Sequence, residues 1–141
     1  MKKNCIKSGL LCLFSVLVAA CSSVSSENPP ALQPAPVELQ QELIQMHSAT
    51  ITRTQTDFPK ALKGGPGFTK ETAWKILIKE RAAVSFEYLV LGRLALGEQI
   101  IQSLVEEDGR YYDRHIIDVE HGGNHYSVEQ WFDITPYFKA M

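Results

Sequence analysis

Gln99–Ile134 reads QIIQSLVEEDGRYYDRHIIDVEHGGNHYSVEQWFDI, and two dipeptides divide it, Asp108-Gly109 and Gly122-Gly123. Both tolerate positive φ at the centre of a two-residue turn, and both lie between runs rich in Ile, Val, Tyr, Phe and Trp. The stretch predicts two consecutive β-hairpins. Closing the first sets Glu107 opposite Arg110, Val105 opposite Tyr112, Ile101 opposite Ile116 and Ile100 opposite Ile117, so opposite charges meet beside the turn. Closing the second sets Val119 opposite Tyr126, Ile117 opposite Val128 and Tyr111 opposite Ile134. In these registers Ile100, Leu104, Ile117, Val119, Tyr126, Val128, Phe132 and Ile134 share one face, which is the face to bury.

A meander with one apolar face needs a cover. Ala82–Ala95 carries Val84, Tyr88, Leu91 and Ala95 at helical spacing, flanked by Phe86, Leu89 and Val90, with Gly92 or Gly97 to end the helix. Over Thr72–Lys79 the alternation of Trp74, Ile76 and Ile78 with Lys75, Leu77 and Lys79 predicts a strand, although Trp74, Leu77, Ile78 and Arg81 also suit a helix face. Leu39, Leu43 and Met46, with Ile44 beside them, make Val37–His47 a short amphipathic helix that tertiary contact has to hold; a partner-binding helix is the alternative. Ala49–Phe68 has little periodicity and reads as a loop with one helical turn near Pro59–Lys63. Its Gly64-Gly65-Pro66-Gly67 is a structural turn rather than a phosphate loop, because Phe68 stands where Lys-Ser/Thr would follow. The expected fold class is α+β, an antiparallel β-meander of two hairpins plus an extra strand, packed against one or two helices. Seven of the 13 aromatic residues lie in 110–141, so the large burial belongs to that half.

The 141 residues are 45% hydrophobic and 21% charged, which excludes disordered, collagen-like and multi-pass membrane classes and allows one domain. At the N-terminus Lys2, Lys3 and Lys7 precede the apolar stretch Gly9–Ala20, broken only by Ser15, in the layout of a signal peptide. Those 12 residues fall short of the roughly 20 that a membrane-spanning helix needs. Leu17-Val18-Ala19-Ala20-Cys21 resembles the lipobox of bacterial lipoproteins, with Val18 where leucine is commonest. The resemblance implies that the Cys21 thiol is diacylglycerylated, that the chain is cut just before it, and that the new amino group is fatty-acylated. Ser22, in place of the aspartate of inner-membrane retention, implies the outer membrane, with the domain in the periplasm. An ordinary secretory signal with an incidental Cys21 is the alternative.

Cleavage would remove Cys5 and Cys12, so no disulfide is expected. It would leave 11 basic residues against 16 acidic ones, a formal charge of −5 that speaks against a nucleic-acid partner. The expected organisation is signal peptide 1–20, lipidated Cys21 and a Ser/Pro-rich tether 21–36, the amphipathic helix and Gly/Pro loop 37–69, and the α+β domain 70–141. Residues 71–138 also resemble a small family of exported bacterial domains whose last strand ends in Phe-Asp-Ile-Ser/Thr followed by aromatics. Here that end is Phe132-Asp133-Ile134-Thr135-Pro136-Tyr137-Phe138, and Phe86-Glu87-Tyr88-Leu89, Gln102-Ser103-Leu104 and Gly109-Arg110-Tyr111-Tyr112-Asp113 fit the same layout. The resemblance implies a fold and no activity.

The predicted registers set Gln102, His115 and Gln130 in one row across three strands, with Asp113 two residues away. A half-buried imidazole near a carboxylate suits a general base or a ligand contact, while a satisfied polar row at the sheet's open end is the structural alternative. His115 and Asp113 are thus the candidate catalytic pair, and Gln102, His115 and Gln130 the candidate ligand-binding set. His121 and His125 flank the second turn with Glu120 near, but without the ligand spacing of a metal site, so no metal or cofactor is expected. The leading functional expectation is a membrane-anchored, non-enzymatic lipoprotein acting through an envelope protein or polymer. The alternatives are a small-ligand binder or hydrolase using the His115 row, and, from size and location, an inhibitor of an envelope-directed enzyme, which a protruding loop at 49–67 would favour.

Overall fold

The computed structural model describes residues 32–79 and 81–140; the expected signal segment, Cys21 and the expected tether up to residue 31 lie outside the described residues. The chain runs β1 (Gln33–Pro34), α1 (Val37–Met46), α2 (Ser48–Asp57), β2 (Leu62–Gly64), β3 (Trp74–Ile76), α3 (Ala82–Leu94), β4 (Glu98–Glu107), β5 (Arg110–His121), β6 (Asn124–Asp133) and α4 (Thr135–Phe138). One six-stranded sheet of order β2-β3-β6-β5-β4, with β1 also on β6, packs against the helices in an α+β fold.

Both hairpins form. Asp108 and Gly109 have φ of 50° and 70°, and Gly122 and Gly123 have 58° and 78°, the conformation whose twist matches flanking strands. Glu107 faces Arg110, Val105 faces Tyr112, Ile101 faces Ile116, Val119 faces Tyr126 and Ile117 faces Val128, as expected. A bulge between Gln99 and Ile101 then shifts β4, so Ile117 faces Gln99 rather than Ile100. The charges beside the first turn face each other in register but bond elsewhere, Glu107 to Lys70 and Arg110 to Asp133. The sheet is mixed rather than purely antiparallel, because β3 and β1 both pair β6 in parallel, and β2 adds antiparallel to β3.

Ile117, Val119, Val128, Phe132 and Ile134 are buried on the inner face as expected, whereas Ile100 and Leu104 are exposed because the helices stop short of β4. Two apolar clusters fill that face. Ala35, Leu39, Leu43 and Phe68 meet Ile117, Val119 and Val128 at one end, and Ile51, Leu62, Trp74, Ile76, Ala83, Val90 and Leu94 meet Phe132 and Ile134 at the other.

Five expectations upstream need correction. The segment 49–68 is not a loop: it forms α2, anchored by buried Ile51 and Thr54, and the short strand β2. The buried stripe of α3 is Ala83, Glu87, Val90 and Leu94, one position from the expected one, and the helix ends on Ala95 in the left-handed region (φ 46°) rather than on a glycine. The folded unit also begins earlier than residue 70, since α1, α2 and β2 supply core residues. Even the end of the expected tether is docked, with Gln33 and Pro34 beside Tyr126 and Ser127 and Ala35 buried.

Two glycines make opposite predictions. A Cβ at Gly97 would lie 1.9 Å from the carbonyl oxygen of Asp118, whereas one at Gly92, in α3, would meet nothing within 4 Å. In urea unfolding, Gly97→Ala should cost about 1–3 kcal/mol through overpacking. Gly92→Ala should raise stability by about 0.5–1 kcal/mol through helix propensity.

Candidate functional site

The polar row forms in the expected register: Gln102 pairs with His115 and His115 with Gln130. Its surroundings differ from a binding site. His115 and Gln130 have no solvent exposure, and α3 lays Glu87 directly over the imidazole, with His115 Nε2 3.0 Å from Glu87 Oε2. The edges of Tyr88 and Phe132 complete the enclosure, with ring centroids 6.1 and 5.3 Å from that of His115. Trp74 Nε1 donates to Gln130 Oε1 at 3.3 Å, Gln102 Nε2 donates to Asp113 Oδ2 at 2.6 Å, and the Tyr88 hydroxyl donates to Gln102 Oε1 at 3.0 Å. His115 Nδ1 and Gln130 Nε2 are buried without a hydrogen-bond partner.

Glu87 is the residue that reading the sequence missed. It occupies a core position of α3 between Ala83 and Val90, and the available signal was a carboxylate interrupting the apolar stripe Ala83-Val90-Leu94. Burial pushes its pKa up and the neighbouring Asp113 adds to this, while the hydrogen bond from His115 acts in the opposite direction. Glu87, Asp113 and His115 bring one ligand-type atom each within 4.8 Å of one another, where no metal was expected from the sequence. They are the residues that could hold a cation; His115 Nε2 is hydrogen-bonded to Glu87 Oε2 and Asp113 Oδ2 accepts from Gln102, while His115 Nδ1 has no partner.

The other candidate histidines do not converge. His125 Nδ1 bonds Asp118 Oδ1 at 2.9 Å, and His121 Nε2 lies 3.8 Å from Glu42 Oε2 of α1, so each imidazole turns to a different carboxylate. The Phe-Asp-Ile-Thr end closes the last strand. Asp133 Oδ1 accepts from the Thr135 backbone N–H at 3.1 Å and from the Thr135 hydroxyl at 2.6 Å, and its other oxygen accepts from Arg110. Burial alone would raise the Asp133 pKa, but the Thr135 hydrogen bonds and the Arg110 guanidinium outweigh it and hold the carboxyl below its ordinary range. Along β6 a cleft of about 480 Å³ is lined by Gln40, Phe68, Ser127, Glu129 and Trp131.

No family model matches this chain, and no curated protein or solved structure matches it significantly.

The raised pKa of Glu87 has a signed consequence. In the unfolded chain it ionises near 4.5, and in the folded protein it keeps its proton to higher pH. The folded state therefore binds more protons in that window, and this contribution to stability is lost as pH rises from 4.5 through the folded value. Glu87→Gln keeps a hydrogen-bonding side chain for His115 and removes the titration. Urea midpoints measured from pH 4.5 to neutrality should fall less steeply in Glu87→Gln than in wild type, and parallel curves would refute the assignment.

Proposed function

We propose that this protein is a lipid-anchored lipoprotein of the bacterial outer membrane whose domain lies in the periplasm and works by contact with another envelope component. The observation that carries the reading is Leu17-Val18-Ala19-Ala20-Cys21 behind a lysine-led apolar stretch. Two or more acyl chains on Cys21 would hold the chain on the membrane with no lipid-binding protein surface, because each buried methylene contributes about 0.8 kcal/mol. Gln33, the first strand residue, is the twelfth after Cys21, which keeps the folded unit within about 40 Å of the lipid at full extension.

A role without turnover suits the enclosed His115 row. A general base has to reach its substrate within hydrogen-bond distance, and neither His115 nor Glu87 meets solvent. The hydrolase or ligand-binder alternative would need α3 to lift from the sheet and break the Glu87–His115 contact. The inhibitor alternative, suggested by size and location, lacks the protruding loop that would have favoured it, since 49–67 contains α2 and β2.

Fractionation of cells producing wild type and Cys21→Ser tests the anchor. Wild type should sediment with outer membranes and incorporate labelled palmitate. Cys21→Ser should lose the label and appear in the soluble periplasmic fraction, or accumulate as uncleaved precursor without label. A labelled, membrane-bound Cys21→Ser protein would overturn the proposal.

A further inference from the structure

Among the described residues, most of the exposed large apolar side chains collect along one border of the fold. Ile100, Ile101 and Leu104 of β4 are 42%, 52% and 54% exposed, and Val84 and Tyr88 of α3, at 36% and 49%, are the exposed apolar residues of the helix beside them. The Tyr88–Gln102 hydrogen bond ties the helix to the strand, so Tyr88 and Leu104 belong to one surface. Ile101 faces Ile116 and Leu104 faces Asp113, which puts Leu104 on the inner face of the sheet and Ile101 on the outer.

The same border is a free strand edge. β4 is ten residues long and ends the sheet, and among the described residues no strand pairs its outer side. Proteins blunt such edges with proline, lysine, bulges or short length. Here Glu98–Glu107 has no proline, lysine or arginine, and its bulge touches only the Gln99–Ile101 end. The other border of the sheet, β2, is three residues long and carries Lys63.

Charge then selects the occupant. Glu98 stands at one end of β4 and Glu106 and Glu107 at the other, with Lys70 answering only Glu107. A second copy pairing antiparallel along the whole strand would set Glu98 against Glu107 of its twin, and like charges directly opposed are destabilising. We propose that the outer edge of β4 is a docking strand for an extended segment of another envelope protein, apolar at its centre and lysine- or arginine-bearing at both ends. Such a segment would gain main-chain hydrogen bonds from the edge and side-chain contacts from Ile101 on one face and Leu104 and Tyr88 on the other. The proposal deepens the contact function above by naming the surface and the kind of partner, and it stands or falls independently of the lipid anchor.

The test uses the full chain in detergent and two labelled synthetic peptides, KKVTITVTKK and EEVTITVTEE, followed by fluorescence anisotropy and amide hydrogen exchange. The lysine-ended peptide should bind, bind less tightly as salt rises, and slow exchange in β4. The glutamate-ended peptide should not bind. Ile101→Lys, at an exposed position, should weaken binding about tenfold, equivalent to ~1.4 kcal/mol. The double variant Glu98→Lys, Glu106→Lys should reverse the preference between the peptides. Equal binding of both peptides, binding of neither, or protection away from β4 would overturn the proposal. Sedimentation of the chain alone as a dimer with protected β4 amides would overturn it in favour of a second copy. The anchor proposal is read by fractionation of Cys21→Ser and is unaffected by any of these results.

Discussion

The inner face of this sheet is longer than any helix available to cover it. β5 has 12 residues and spans about 40 Å at the rise of an extended strand. α3, the longest helix among the described residues, has 13 and spans about 20 Å. The cover therefore comes in two pieces, with α1 over the Val119 and Val128 end and α3, backed by α2, over the Phe132 and Ile134 end. His115 and Gln130 sit on their strands between Ile117 and Val128 of one cluster and Phe132 of the other, with Leu91, Leu96 and Ile44 touching both. The polar row is thus the seam between two covers. Its enclosed members stay there because Glu87 and Trp74 reach them.

Glu87 also decides how α3 lies on the sheet. Turning the helix by one residue would bring Phe86 or Tyr88 to the position over His115, leaving the imidazole and the carboxyl each without its hydrogen-bond partner. Each unsatisfied buried polar group costs about 1–3 kcal/mol, comparable to the burial that a rotated apolar face would regain. The buried carboxyl is tolerated because it answers a histidine and, pushed up by burial and by Asp113, holds its proton more tightly.

The same residue limited what the sequence disclosed. The hairpins were legible because turn dipeptides and a period of two act locally, and the row of Gln102, His115 and Gln130 followed from their registers. The inner face of α3 was not legible, because Val84, Tyr88, Leu91 and Ala95 form a more apolar stripe than Ala83, Glu87, Val90 and Leu94. Only knowing that His115 lay opposite would have reversed that choice. α2 was hidden for a different reason: SATITRTQTD offers Ile51 as its only large apolar anchor and four threonines of modest helix propensity. The Thr54 hydroxyl bonds back to the Thr50 carbonyl at 2.8 Å, and Thr54 is buried where an apolar residue would have signalled a helix. The bulge at Gln99–Ile101 had no sequence signal, and it alone moved Ile100 out of register.

The glycine run Gly64–Gly67 ties these features to the open edge. A Cβ at Gly65 would lie 2.7 Å from Trp74 Cζ3, and one at Gly67 2.6 Å from Trp74 Cδ1, so these positions let backbone roof the buried indole. The carbonyl of Gly67 accepts from the Trp131 N–H at 2.7 Å, which stitches the loop to β6, and Phe68 then enters the cluster under α1. β1 and β3 pair the same flank of β6 at its two ends, so strands, loop and helices that precede α3 gather on that side of the sheet. With this half of the fold committed to β6, no described strand remains to pair β4, whose apolar side chains face water as a consequence of where the rest of the chain is used.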